Sequence, residues 1–274
     1  MNFTIIDKYT ISNPIEIYII KKLNKEPPYI YTFISDNELN TIIQKVKDKY
    51  NININKNIII SIRSSFIKNH IINNSYKINK KILLDYKTKD IILLSSKYDI
   101  PPLNIIRYVF EHKYNKKLNK IMDQIDILDV YDRKQFETAF SYDKYTNPDN
   151  KVIQDKSKEF ENKIEFILKR LNIKYKTQDD LTKQQIKEVG YAYNTPDFLI
   201  LTDITINGEV IKWIDAKNFY GSNIKFDIKK IKKQVKKYID KYGPGCIIYS
   251  LGYNSDIHKI DDVSFYSYET INEI

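Results

Sequence analysis

The dipeptide Asn207-Gly208, set between TDITI and EVIKWIDAKN, constrains this chain more than any other feature. Both residue types tolerate the positive φ of a two-residue hairpin turn, so antiparallel strands are expected on either side. Thr195-Pro196-Asp197 opens the first arm, a strand from about 196 to 202, and Asp215-Ala216-Lys217 sits on the second. Side chains alternate along a strand, which puts Asp215 and Lys217 on one face and Ala216 on the other. Register then decides whether Asp197 joins them. A regular ladder running back from the turn pairs Asp197 with Asn218 and points its carboxylate away from Asp215. One residue bulged out near Asp203 brings Asp197 opposite Lys217 and diagonal to Asp215. A bulge or break near Asp203 is therefore expected.

Around the hairpin the pattern alternates helix and strand. Ser157 can cap a helix in which Phe160, Ile164, Ile167, Leu168 and Leu171 form one apolar stripe. Lys225 to Lys241 reads as a helix with Phe226, Ile231, Val235, Tyr238 and Ile239 for its buried side, stopped by Gly243-Pro244-Gly245. CIIYSLGY is a short buried strand and SFYSYE a final one. The fold class expected is α/β, a mixed sheet flanked by helices over 150–274. The first half, 1–145, reads as a helical domain. Asn13-Pro14 opens a helix that ends before Pro27-Pro28, Ser35 and Glu38 have capping-box spacing for a helix over 36–50, and 57–70 and 79–97 also read as helical, with NIIISI equally compatible with a strand. Residues 86–113 have the outline of a helix-turn-helix, or of two core helices in which Ile105, Ile106 and Val109 are buried and Asn104, Arg107 and Lys113 solvated. A further helix or two fills 115–140, and the polar, turn-rich stretch 141–150 is the expected boundary.

The 274 residues carry a net charge of +10, which favours a polyanionic partner, nucleic acid before others. Only four arginines occur, against abundant Lys, Asn, Ile and Tyr, the pattern that an A+T-rich genome such as that of a large DNA virus imposes through its codons. Where the lysines cluster therefore matters more than their total. They crowd 225–241, with Lys229, Lys230, Lys233 and Lys237 among them, as a candidate nucleic-acid-binding helix that would hold the phosphate backbone without reading sequence. No apolar run is long enough to span a membrane and no signal peptide opens the chain, so a soluble intracellular protein of nucleus or cytoplasm is expected. Single Cys246 and scattered His70, His112 and His258 exclude the usual zinc sites. Trp213 and the tyrosines are expected in the core and the half-buried sheet surface rather than as stacking platforms for bases.

Two carboxylates and an ammonium can thus converge. Like charges this close call for a cation, and hard divalent ions prefer carboxylate, carbonyl and water oxygens. Such an ion polarises a phosphodiester, while a neighbouring lysine positions or deprotonates the attacking water. Glu161, flanking the apolar stripe, is a further candidate at the ion or its water, with a solvated acidic edge as the alternative reading for it and the favoured one for Glu165. Gln234 could bind phosphate or orient the water at Lys217, or be an ordinary exposed helix glutamine.

Asp197, Asp215 and Lys217, after a helix bearing Glu161, resemble the PD-(D/E)XK nuclease superfamily. More narrowly, Gly190-Tyr191, Thr195-Pro196-Asp197, Trp213-Ile214-Asp215-x-Lys217, Gln234, Tyr242-Gly243-Pro244-Gly245 and Ile248-Tyr249 resemble the codanin-interacting nuclease family over about residues 157–253. The resemblance implies a restriction-endonuclease-like fold and a Mg²⁺- or Mn²⁺-dependent endonuclease acting on DNA. It further implies Asp197, Asp215 and the Ala216 carbonyl as metal ligands, Lys217 at the nucleophilic water, and Glu161 and Gln234 assisting. This chain has Asp-Ala-Lys where Glu-Ser-Lys is usual, so a side chain shorter by one methylene must be compensated by backbone or metal. No surface for a codanin-like partner can be identified. Two rivals remain open: a nuclease-fold protein that binds or scaffolds DNA without turnover, and an RNA-processing enzyme using the same site.

Overall fold

The computed structural model describes residues 1–6, 10–23, 31–143, 145–146, 150–257 and 260–272; Pro27-Pro28, His258 and part of the expected 141–150 boundary lie outside them. In chain order the elements are β1 (Asn2–Phe3), β2 (Thr10–Ile11), α1 (Asn13–Leu23), α2 (Asp36–Tyr50), α3 (Lys56–Asn74), α4 (Lys80–Tyr86), α5 (Ile91–Tyr98), α6 (Pro102–Tyr114), α7 (Leu118–Met122), α8 (Val130–Tyr142) and α9 (Asn150–Arg170). There follow β3 (Tyr175–Thr177), α10 (Gln178–Val189), β4 (Phe198–Ile200), β5 (Thr205–Ile206), β6 (Glu209–Val210), β7 (Trp213–Lys217), α11 (Lys225–Tyr242), β8 (Gly245–Tyr249), β9 (Tyr253–Asn254), β10 (Val263–Ser267) and α12 (Tyr268–Asn272). The fold is mixed α/β, as the alternation of patterns predicts. Among the described residues no helix is long and apolar enough to cross a membrane.

Contacts divide the chain into two units, one of 20–45 and 66–149, the other of 1–19, 46–65 and 150–274. The first is helical. Its core gathers Ile82, Leu94, Ile105, Ile106, Val109, Phe110 and Phe136 from α4, α5, α6 and α8. The stretch read as one helix over 79–97 is two, because Asp90 turns out of the helix and its carboxylate caps Ile92 N–H. Asp99 in the left-handed conformation and Pro101-Pro102 then make the tight turn into α6. Within 86–113, Ile105, Ile106 and Val109 are buried in that core. Arg107 is exposed, and Lys113 is held by Asp129 and the fully buried Asp132 at 2.7 Å each.

The second unit holds the α/β architecture. Its central sheet has the order β10-β8-β7-β4-β3, with β10, β8 and β7 parallel and β4 and β3 antiparallel to their neighbours. Strand alternation sends Ile214, Ala216, Cys246 and Ile248 to one face, where they meet Phe160, Ile164, Ile167 and Leu168 of α9. Trp213, Ile247 and Tyr249 on the other face meet Ile231, Val235 and Tyr238 of α11. Each fully buried large apolar side chain contributes on the order of 1.5–3 kcal/mol. Gly245 has a steric reason: a Cβ there would stand 2.3 Å from the Trp213 ring, whose indole N–H donates to Gly243 O at 2.9 Å. Ser157 is not a cap; α9 starts at Asn150 and runs through it, since no Pro or Gly interrupts 150–157.

Residues 1–19 and 46–65 differ from their reading as part of a helical N-terminal domain. Strand β1 adds in parallel to β5, and β2 to β9. Glu16, 1% exposed on α1, accepts hydrogen bonds from Ser222 Oγ (2.5 Å), Asn254 Nδ2 (2.5 Å), Asn223 N–H (3.2 Å) and Tyr220 OH (3.4 Å). A buried carboxylate is tolerated where donors satisfy it, and these come from the loop after β7 and from β9.

The hairpin turn forms at Asn207 (φ 53°) and Gly208 (φ 83°), and Ile206 pairs with Glu209. Farther back Leu199 pairs with Trp213, seven residues from Ile206 on one arm against four from Glu209 on the other. Three residues, Leu201 to Asp203, are therefore extra. The expected break near Asp203 is present, with three residues rather than one. Continued by one step, the β4–β7 ladder sets Asp197 opposite Asp215 instead of Lys217. One and three are both odd, so the carboxylate still turns to the face that carries Asp215.

A candidate nuclease site on the central sheet

Three side chains of the hairpin converge on the α11 face of the sheet. Asp197, half-buried, is held by Ala216 N–H, which donates to its Oδ2 at 2.6 Å, and its own carbonyl accepts from Gln178 N–H at 3.0 Å. Asp215 is 1% exposed. The Lys217 ammonium ion-pairs with its Oδ2, and Gln234 of α11 donates to its Oδ1 at 3.1 Å. Gln234 also donates to Tyr238 OH at 3.0 Å, and that hydroxyl reaches Thr195 O at 3.5 Å, so one helix face steadies both acids. Burial, and then the charge of Asp215, push Asp197 up to about 7, against smaller opposing effects of Ala216 N–H and Lys217.

Glu161 stands apart from this group. It belongs to α9, across the sheet, and Lys158 takes its Oε2 at 3.1 Å; its charge still helps to raise Asp197, without a hydrogen bond. Glu165 is half-buried and engaged by Tyr175 OH at 2.7 Å and Lys169 at 2.9 Å, which hold its carboxyl below the usual range. Lys229, Lys230, Lys233 and Lys237 are all exposed on α11, as are Lys225, Lys232, Lys236 and Lys241. By helical period Lys230, Lys237 and Lys241 share the flank of Gln234, whereas Lys229 and Lys233 project farther from the carboxylates. Cys246 is fully buried, and burial pushes its thiol up.

The reading of the sequence gave four further residues no role at the site. Tyr238 links Gln234 to the Thr195 loop. Gln185 of α10, 3% exposed, accepts from Tyr193 N–H (2.9 Å) and Asn194 N–H (3.2 Å) and donates to Asn194 O (2.7 Å), which fixes the run into Thr195-Pro196-Asp197. Its signal was available: Thr177 and Asp180 form a capping box and Gly190 ends α10 at φ 84°. Tyr249 Oη, at a fully buried ring, and Asp227 Oδ2 lack hydrogen-bond partners, and burial, then the charges of Asp215 and Asp227, push that phenol up.

The donor set has the chemistry a hard divalent cation needs. Two carboxylates and a peptide carbonyl lie on adjacent strands, buried Asp215 Oδ2 meets only the Lys217 ammonium, and the crowding that raises Asp197 is what added positive charge would relieve. Among the described residues, however, no three His, Cys, Asp or Glu side chains draw together closely enough to cage an ion by themselves. Water or substrate oxygens would have to complete the shell, as Mg²⁺ ordinarily allows.

The chain is mixed α/β, with an acid pair and a lysine on neighbouring strands of its central sheet. A protein-family profile described as "Protein of unknown function TPD sequence-motif" matches residues 128–269, just over half the chain, and the protein belongs to that family. Thr195-Pro196-Asp197 lies within the match. The chain is 27% identical over 246 residues to the uncharacterized protein L539 of Acanthamoeba polyphaga mimivirus, covering 87% of this chain and 76% of that protein. It is 29% identical over 77 residues to CDAN1-interacting nuclease 1 of Danio rerio, 28% of this chain and 25% of the relative, and over 93 residues to that of Mus musculus, 34% and 32%. These nuclease-named relatives are thus matched over about a quarter to a third of their length. No solved structure matches.

Proposed function

We propose that this chain is a metal-dependent nuclease of the PD-(D/E)XK kind that hydrolyses phosphodiester bonds of DNA. The observation that carries the proposal is the convergence of Asp197, Asp215 and Lys217 on one sheet face with Gln234 locking Asp215. Asp197, Asp215 and the Ala216 carbonyl would hold Mg²⁺ or Mn²⁺, with Glu161 near enough to bias the charge. Bound there, the ion would supply Lewis acidity toward the scissile phosphate and a lowered pKa for water. Lys217, 17% exposed, reaches from buried Asp215 toward solvent, where its ammonium can orient the attacking water and stabilise charge growing on phosphorus oxygens. Gln234 keeps the Asp215 carboxylate in one rotamer. The exposed lysines of α11 attract the phosphate backbone irrespective of sequence.

Incubating wild type and Lys217→Ala with DNA in Mg²⁺, Mn²⁺ or EDTA tests this reading. Wild type should cleave only with metal, and the variant should lose roughly a hundred-fold or more; equal cleavage by both would reject it. One observation is shared by a second reading, DNA binding without turnover: the lysines of α11 are exposed and would bind phosphates whether or not a metal is held. Calorimetry showing neither Mg²⁺ nor Mn²⁺ binding, with salt-sensitive DNA binding retained, would decide for it.

A further inference from the structure

The stretch Gly190–Asn194, leading from α10 to the candidate acid Asp197, shows water two aromatic rings that a folded protein has no need to expose. Tyr191 is 64% exposed and Tyr193 44%, and their ring centroids lie 5.9 Å apart. Ile186 and Val189 on the adjoining end of α10, three residues apart and so on one helix face, are each 51% exposed. The backbone beneath the rings is fixed. Buried Gln185 receives the N–H groups of Tyr193 and Asn194, Tyr242 OH donates to Asn194 O at 2.8 Å, and Asn194 Nδ2 donates to Lys237 O at 3.1 Å. Lys241 donates to Tyr193 OH at 2.7 Å and lies 4.2 Å from that ring's centroid, a cation–π contact that backs Tyr193 and leaves Tyr191 the more open of the pair.

We propose that Tyr191, supported by Tyr193, is a stacking platform for the bases of an unpaired DNA segment entering the candidate site, with Lys230, Lys237 and Lys241 holding its phosphates. Charge complementarity selects this occupant, because exposed lysines of α11 border the rings on the flank that leads to Gln234 and Asp215. The aromatic faces select an unpaired strand: bases in a duplex stack on one another and leave no face free, whereas splayed bases stack on tyrosine whatever their identity. A preorganised loop reduces the ordering cost of such binding. The proposal deepens the nuclease reading and rests on it for the direction in which the strand runs, while the stacking contact can be measured without cleavage.

The test uses the full chain carrying Lys217→Ala, in EDTA, so that hydrolysis plays no part. Fluorescence anisotropy is measured on one labelled oligonucleotide, single-stranded and annealed to its complement. Adding Tyr191→Ala should weaken single-strand binding roughly five- to a hundred-fold with little change for the duplex, Tyr191→Trp should restore it, and Tyr193→Ala should fall between. The exposed rings should leave the melting temperature unaltered, which circular dichroism verifies. Unchanged single-strand binding in Tyr191→Ala, or equal losses on single strand and duplex, would overturn the platform. Failure of the nuclease reading appears separately, as absence of metal-dependent cleavage in the protein with Lys217 intact.

Discussion

Asp197 carries the clearest consequence of crowding two acids. Its carboxyl is pushed up to about 7, whereas an unfolded aspartate titrates near 4. In the metal-free protein the folded state therefore holds a proton there that the unfolded chain has lost, and stability falls as pH rises from about 4 through about 7. Asp197→Asn should melt higher than wild type at pH 8 and lose that advantage towards pH 4. Adding Mg²⁺ at pH 8 should raise the wild-type melting temperature and raise the variant's less, since ligand bound only by the folded state stabilises it. A variant no more stable than wild type at pH 8 would contradict the assigned crowding. Tyr249 gives a simpler test: with no partner for its buried hydroxyl, Tyr249→Phe should be neutral or stabilising by up to about 1 kcal/mol in denaturant melts.

Among the elements, what could be read locally was read well. Capping-box spacing at Ser35 and Glu38 gives α2 its start, with Ser35 N–H donating to Glu38 at 3.0 Å; Phe160, Ile164, Ile167 and Leu168 of the α9 stripe are buried, with Leu171 half-buried just past the helix; and Gly243, at φ 84°, ends α11. Asn207-Gly208 forms the turn it predicts. The reading of α11 gave its interior but ranked Phe226 and Ile239, which are half-buried, above Ile228, which is buried. Strand β3 and helix α10 were passed over because TQDDLTKQQIKEV is mostly polar, and only Leu181 and Gln185 of α10 are buried. Polar anchoring of that kind leaves no hydrophobic period to detect. The exposure of Tyr191 and Tyr193 was likewise hidden, because composition cannot separate a surface tyrosine from a core one. Gly245 offers the sharpest element-scale prediction: Gly245→Ala drives a methyl into the Trp213 ring and should cost about 1–3 kcal/mol, read as a lower denaturation midpoint.

For the molecule as a whole, the unit that bears the candidate site recruits residues 1–19 and 46–65 besides 150–274. No local pattern announces this. Strands β1 and β2 are two residues each, formed by pairing with segments some two hundred positions away, and Glu16 gives no sequence sign that its ligands are Ser222 and Asn254. Glu16→Ala strands those donors in the interior and should cost about 2–4 kcal/mol. A fragment of 150–274 alone should unfold less cooperatively than the full chain, because β5 and β9 lose their parallel partners; equal thermal transitions would refute that dependence.

Leu201, Thr202 and Asp203 give the hairpin two independent reference frames. None of the three pairs with the returning arm, although Leu201 N–H still donates to Lys174 O at 2.8 Å, so the tip takes its alignment from the turn and from β1, and the base takes its own from β3 and β7. On the arm that bears Asp197, a disturbance at the tip should be damped across these residues before it reaches the acid. A reporter peptide grafted between Asn207 and Gly208 should therefore perturb the tip and leave the separation of Asp197 and Asp215 untouched, which makes that tip the natural handle for immobilising or labelling the protein.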